Sequence, residues 1–106
     1  MSEYMEEIKY YGEDAIDTEI SAFESVNMLH QRSWLQENIH NLSEEESELL
    51  RENDRKLLAN AKNMFEHIRR IYDFSARSTE RLEEWWWHLD MVVDGRLKVS
   101  LERTDE

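Results

Sequence analysis

The chain has 106 residues, and its 25 acidic and 13 basic side chains give a formal net charge of −12. A chain of this length forms one domain with a modest hydrophobic core, and so large an acidic excess disfavours direct binding to nucleic acid, which needs a clustered basic face. The absence of cysteine excludes disulfides, thiolate metal sites and a thiol nucleophile.

The absence of proline and the presence of only two glycines favour helix along most of the chain. Residues 2–40 predict the first helical region, and one face of its first turns carries Tyr4, Met5, Ile8 and Tyr11. Gly12 is either a break or a tolerated interior glycine, because the apolar period continues beyond it. A second, adjoining stripe contains Ile16, Ile20, Phe23, His30 and Trp34. Residues 41–43 predict a turn between helices.

Acidic charge is concentrated in the same half of the chain. Residues 1–50 contain 13 acidic and 2 basic side chains, a net charge of −11, whereas residues 51–106 contain 12 and 11. The candidate acidic surface consists of Glu3, Glu6, Glu7, Glu13, Asp14 and Asp17. It is either a solvated face that complements the mildly basic segment 51–81, or a carboxylate surface that imitates nucleic-acid phosphates.

Residues 44–94 predict the second helical region, and both of its ends are marked. Ser43 and Glu46 have the spacing of a capping box, and Gly95 suits the left-handed position that ends a helix. If Leu50 is placed at heptad position d, ten of the thirteen a and d positions from there onward are apolar. With apolar residues at position e as well, the stripe is wider than a two-stranded coiled-coil seam and is typical of a helical bundle.

Two all-α architectures fit this pattern. In the first, helix 44–94 is unbroken and forms a long antiparallel hairpin with residues 2–40, which dimerises into a four-helix bundle. The unbroken heptad phase across 71–85 favours it. The alternative is a monomeric small bundle in which polar residues at Ser75, Ser78 and Thr79 break the second helix. In both, residues 1–95 form a single helical domain and 96–106 a tail, whose strand-like alternation over 96–101 leaves open whether it pairs.

Three consecutive tryptophans form the least ordinary motif. Successive helical residues differ by about 100°, so the three side chains of a helix cannot all face one core. Trp85 and Trp86, at positions d and e, are predicted to be buried. Trp87 lies at the outward position f and is expected to pack on a terminal segment or a second copy, or to anchor another protein. With Phe74 and Met91, these tryptophans form the candidate partner-binding surface.

A metal site has one weak signature. Glu37 and His40 have the Glu-x-x-His spacing of ferritin-like di-iron bundles, which need a second such motif on a facing helix. The sequence has no second motif, although a dimer could duplicate the first, so these two residues remain the candidate metal ligands. A glycine-rich phosphate loop is absent, and no other cofactor is expected.

The sequence therefore predicts a non-enzymatic, acidic interaction module, such as an adaptor, regulator or small assembly subunit, that self-associates and binds protein partners. The alternatives are an acidic nucleic-acid mimic that inhibits a DNA- or RNA-binding protein, and a ferritin-like metal-binding bundle. No apolar run approaches the ~18 residues of a membrane span, and the first residues lack a signal-peptide pattern. A cytoplasmic location without membrane contact is expected.

Overall fold

The computed structural model describes residues 3–77 and 82–101, and within these ranges the chain is helical and contains no strand. The α-helices in these ranges are α1 (Glu3–Ala15), α2 (Ala22–Glu37), α3 (Glu44–Ala59), α4 (Ala61–Ile68) and α5 (Leu89–Asp94). Short 3-10 turns occur at Ile39–Asn41, Phe74–Arg77 and Trp85–Trp87. The prediction of an all-α fold is confirmed.

Two helix ends lie where the sequence predicted them. The hydroxyl of Ser43 accepts a hydrogen bond from the Glu46 backbone N–H at 3.0 Å, and the Glu46 carboxylate accepts one from the Ser43 N–H at 2.8 Å. This is the predicted capping box at the start of α3. Gly95 ends α5 with a φ of 86°, the left-handed conformation that glycine adopts without steric cost.

The prediction of one continuous helix over 44–94 is wrong. α3 ends at Asn60, whose side chain donates a hydrogen bond to the carbonyl of Ala15 in α1 at 3.1 Å. α4 ends at Ile68, so the chain leaves the α-helix before the polar cluster of the alternative architecture, and Ser78 and Thr79 lie outside the described residues. Asparagine has a low helix propensity, and at position 60 its side chain gains a partner on another helix.

The first helical region is also divided, but not at Gly12. The interruption lies at residues 16–21, and Gly12 is a buried residue inside α1. A Cβ atom on Gly12 would lie 2.4 Å from Cγ of Asn53, whose amide donates a hydrogen bond to the carbonyl of Ile8 at 2.8 Å. A side chain at position 12 would therefore displace the buried Asn53 amide.

The first three helices form a bundle in which α2 runs antiparallel to α1 while α3 runs parallel to it. Contacts along α1 show both directions: Tyr4 and Glu7 meet Trp34 and Gln31 of α2, while Ile8 and Ala15 meet Asn53 and Asn60 around α3. α4, α5 and the 85–87 turn pack beside this bundle, with α2 in contact with α4 and with the turn. The two-helix hairpin is therefore replaced by a bundle of shorter helices, and dimerisation stays a prediction.

Residues 96–101, the part of the tail that the structure describes, pack without forming a strand. The Leu97 backbone N–H donates to the carbonyl of Met91 at 3.1 Å, and the half-buried side chains of Leu97 and Val99 contact the core. Across the described ranges, no helix combines the length and apolarity needed to cross a bilayer.

Candidate functional site

The three consecutive tryptophans lie in the core. Trp85, Trp86 and Trp87 are 6%, 1% and 7% exposed. The indole N–H groups of Trp86 and Trp87 both donate to the hydroxyl of Ser33 in α2, at 2.9 and 2.7 Å. The Trp87 ring also packs edge-on against His30, with ring centroids 4.8 Å apart. The predicted burial of Trp85 and Trp86 is confirmed, and the predicted outer position of Trp87 is wrong.

The reason is a change of local geometry. Residues 85–87 form a 3-10 turn instead of part of an α-helix, and α2 covers the turn. Phe74 is buried as well, with its ring edge-on to Tyr72 at 4.9 Å, and Met91 is half-buried. A side chain that anchors a partner must be exposed before binding, so the burial of these aromatic residues argues against this surface as a contact site.

Exposed apolar side chains are found mainly on a different part of the chain. In the described ranges, the large apolar side chains that stay exposed are Tyr10, Ile16, Phe23, Trp34, Ile71, Leu82 and Val93. The first four belong to α1, α2 and the loop between them. Phe23 is the extreme case, with 70% of its surface exposed. The α1–α2 hairpin therefore carries the main apolar surface that the described chain leaves uncovered.

These side chains line up with acidic residues in what we name the hairpin face, made of Glu7, Tyr10 and Asp14 on α1 and Phe23, Asn27, His30 and Trp34 on α2. Residues three and four positions apart share one side of a helix, so each set forms a single row. A groove of about 550 Å³ runs between the two rows. Its lining residues are Glu7, Asp14, Asn27, Met28, His30, Gln31 and Trp34.

Contacts within the hairpin hold the groove in shape. The Gln31 amide donates a hydrogen bond to the Glu7 carboxylate across the two helices. Tyr4 packs its ring against Trp34 at a centroid distance of 5.5 Å. The side chain of Met28 is buried beneath the groove. The groove thus has a formed floor and fixed walls.

The groove is negatively charged. In the described part of the chain, Glu6, Glu7, Glu13 and Asp14 form no ion pair with a cationic side chain. The pKa of Asp14 is raised above its ordinary value, first by partial burial and then by the negative charges of Asp17, Glu13 and Glu24. Of the other predicted acidic residues, Asp17 lies in the α1–α2 loop and the side chain of Glu3 lies outside the described residues.

A buried ion pair joins α2 to α3, and a tyrosine of α1 donates a hydrogen bond to it. Arg32 of α2 makes a two-pronged contact with Asp54 of α3, with both N–O distances 2.9 Å. The Tyr11 hydroxyl of α1 donates to the same carboxylate at 2.5 Å, and the Arg32 guanidinium lies 4.1 Å from the centre of the Trp86 ring. Burial raises the pKa of Tyr11, and Asp54 raises it further, so the hydroxyl stays a donor.

The candidate metal ligands do not form a site in the structure. Glu37 is the last residue of α2 and His40 lies in the following 3-10 turn, and both side chains are exposed. Among the described residues, no group of three or more His, Cys, Asp or Glu side chains is placed to hold a metal ion.

Comparisons with known proteins add no further constraint: no protein-family model matches the chain, and no curated protein and no solved structure matches it either.

The stripe through Phe23, His30 and Trp34 was described from the sequence but was not identified as an exposed face. The signal that could have identified it is the presence of more than one apolar row in the first helical region. Each apolar row needs a neighbouring element to cover it, and a chain of this length offers few neighbours. One row was therefore bound to stay exposed.

Proposed function

We propose that this protein is a non-enzymatic interaction module that binds another protein through the hairpin face. The observation that carries this proposal is the combination of exposed aromatic side chains with a formed groove on one side of α1 and α2. Aromatic residues are enriched at protein interfaces because they bury a large apolar area at low entropic cost. An adaptor or a small regulatory subunit would use such a face.

Affinity capture from cells that naturally produce the protein tests the proposal. The hairpin variant replaces Phe23 and Trp34 by serine, and the control variant replaces Ile71 and Val93, which are exposed elsewhere on the molecule. We expect the wild-type and control proteins to retain the same partner, and the hairpin variant to lose it. Circular dichroism should show equal helicity for all three, because the substituted side chains are exposed.

Two results would contradict the proposal. One is a wild-type protein that retains no partner under these conditions. The other is a partner that the control variant loses as completely as the hairpin variant, since this would assign the loss to general changes in surface polarity.

A second candidate function is that of an acidic inhibitor that occupies the phosphate-binding groove of a nucleic-acid-binding protein. Within residues 3–77 and 82–101, the carboxylates of Glu6, Glu7, Glu13 and Asp14 have no cationic partner, which favours this candidate. Exposed charges are screened by salt, so the affinity of such an inhibitor should fall steeply with ionic strength, whereas an aromatic contact should change little. Release of the captured partner by added duplex DNA or RNA would support this candidate over an adaptor.

A further inference from the structure

The groove of the hairpin face has the chemical composition of an arginine-binding site. Glu7 and Asp14 line it from α1, Trp34 lines it from α2, and the buried Met28 forms its floor. A guanidinium group can stack its planar face on an indole ring and direct paired N–H groups at a carboxylate. The ammonium group of lysine makes no paired hydrogen bonds of this geometry to a carboxylate, and it interacts with an indole ring only as a point charge.

The spacing of the two carboxylates defines the distance between the cationic groups of a matching ligand. Glu7 and Asp14 are seven positions apart on α1, a separation of about 10 Å along the helix axis. A partner helix with two arginines seven positions apart presents its guanidinium groups at the same interval. Trp34 extends the groove at the end near Tyr4 and would cover an apolar or arginine side chain there.

A symmetric dimer that buries the hairpin face of both copies is disfavoured. An isologous contact would bring Glu7 and Asp14 of one copy close to the carboxylates of the other, and like charges across an interface are repulsive. Residues 1–50 contain only Lys9 and Arg32 as basic residues, and Arg32 is already buried against Asp54. The hairpin face therefore presents carboxylates and almost no cationic side chains.

We infer that the groove between α1 and α2 binds arginine side chains of a basic segment of another protein, with Glu7 and Asp14 as the anionic contacts and Trp34 as the aromatic contact. The inference rests on the proposed function and names the chemistry of the partner. Cationic groups bound in the groove would reduce the electrostatic repulsion between Asp14 and its acidic neighbours.

A titration followed by nuclear magnetic resonance tests the inference with a defined probe. The probe is a helical peptide of alanine and glutamine with two arginines seven positions apart, and its matched control carries citrulline, a neutral isostere, at both positions. We expect the arginine peptide to shift the indole N–H signal of Trp34 and the amide signals around Glu7 and Asp14. The citrulline peptide should leave these signals unchanged.

Paired variants sharpen the test. Glu7→Gln with Asp14→Asn should weaken binding of the arginine peptide about tenfold, because two charge contacts are lost. Glu7→Gln keeps an oxygen for the Gln31 amide, so the hairpin should stay folded. The control pair is Glu52→Gln with Glu66→Gln, which removes two exposed carboxylates of α3 and α4 and should leave affinity unchanged.

Several results would overturn the inference: equal binding of the citrulline peptide, equal weakening by the control pair, or shifts that map outside the groove. A rise in solution mass with protein concentration that the Phe23 and Trp34 substitutions abolish would also overturn it, in favour of a second copy as occupant. Loss of the cellular partner in the hairpin variant, together with failure of the peptide to bind, would reject the arginine site and leave the proposed function standing. Peptide binding without any partner that depends on the face would support the site and reject the proposed function.

Discussion

Replacement of Asp54 by alanine should be among the most destabilising changes in this protein. Its carboxylate accepts two hydrogen bonds from Arg32 and one from Tyr11, and the side chains of Arg32 and Asp54 are only 6% and 5% exposed. Without Asp54, a guanidinium group stays buried with no counter-charge, a change that costs about 3–5 kcal/mol. Domains of this size have a total stability of roughly 5–15 kcal/mol, so the loss is a large share of it.

Urea unfolding followed by circular dichroism measures this loss. With a denaturant slope of about 2 kcal/mol per molar, the middle of the usual range, the midpoint should fall by about 1.5–2.5 M. Glu52→Ala is the matched control, since its contact with Arg55 is exposed and spans 3.5 Å, and it should cost less than about 0.5 kcal/mol. The double variant Arg32→Met, Asp54→Leu should cost less than Asp54→Ala alone, because no unpaired charge remains. Equal costs for Asp54→Ala and the control, or a double variant as costly as the sum of the single ones, would refute the reasoning.

Three further changes probe other parts of the structure. Gly12→Ala should destabilise the chain by about 1–3 kcal/mol, because the new methyl group meets the buried Asn53 side chain at 2.4 Å, and thermal unfolding would record a lower midpoint. Ser33→Ala removes the acceptor of two indole hydrogen bonds and should cost about 2 kcal/mol in urea unfolding, whereas Ser33→Thr, which keeps the hydroxyl, should cost less. Asp14→Asn should stabilise the chain at pH 7 by up to about 0.5 kcal/mol. Folding raises the pKa of Asp14, so the stabilising contribution of its protonated form is lost as pH rises through that pKa. Near about pH 3 the carboxyl group is protonated in both the folded and the unfolded state, so the stability advantage of the asparagine variant should vanish there.

Local signals in the sequence predicted local structure well. The capping box at Ser43 and the left-handed glycine at position 95 both depend on the chain within a few residues, and both are present in the structure. Glu52, Arg55 and Glu66 fall outside the a, d and e positions of the heptad pattern, and all three are exposed in the structure. Such features need no knowledge of the tertiary contacts.

Helix continuity could not be predicted because tertiary contacts decide it. Leu57 and Met64 keep their heptad phase and are both buried, although the helix ends between them at Asn60. The same residue is the C-cap of α3 and the N-cap of α4, so the apolar period passes through the break unchanged. The bond from Asn60 to the Ala15 carbonyl comes from another helix, and no periodicity within 44–94 contains that information.

Only the acidic residues of the candidate site could be predicted from the sequence, not their arrangement in space. The acidic residues of α1 were recognised as a surface, but their position across a groove from His30 and Trp34 depends on the turn at residues 16–21, which no residue pattern located. The buried charge of Asp54 was equally hidden, since a lone aspartate at a core position predicts its partner only when the partner helix is known. Arg32, one of two basic residues within residues 1–50, is that partner.

The placement of Trp86 over Arg32 also has a consequence for the hydration of the buried ion pair. The indole ring lies on the Arg32 guanidinium, and its N–H donates to the Ser33 hydroxyl. The tryptophan turn therefore keeps water from one side of a pair whose charges are held together by α2 and α3.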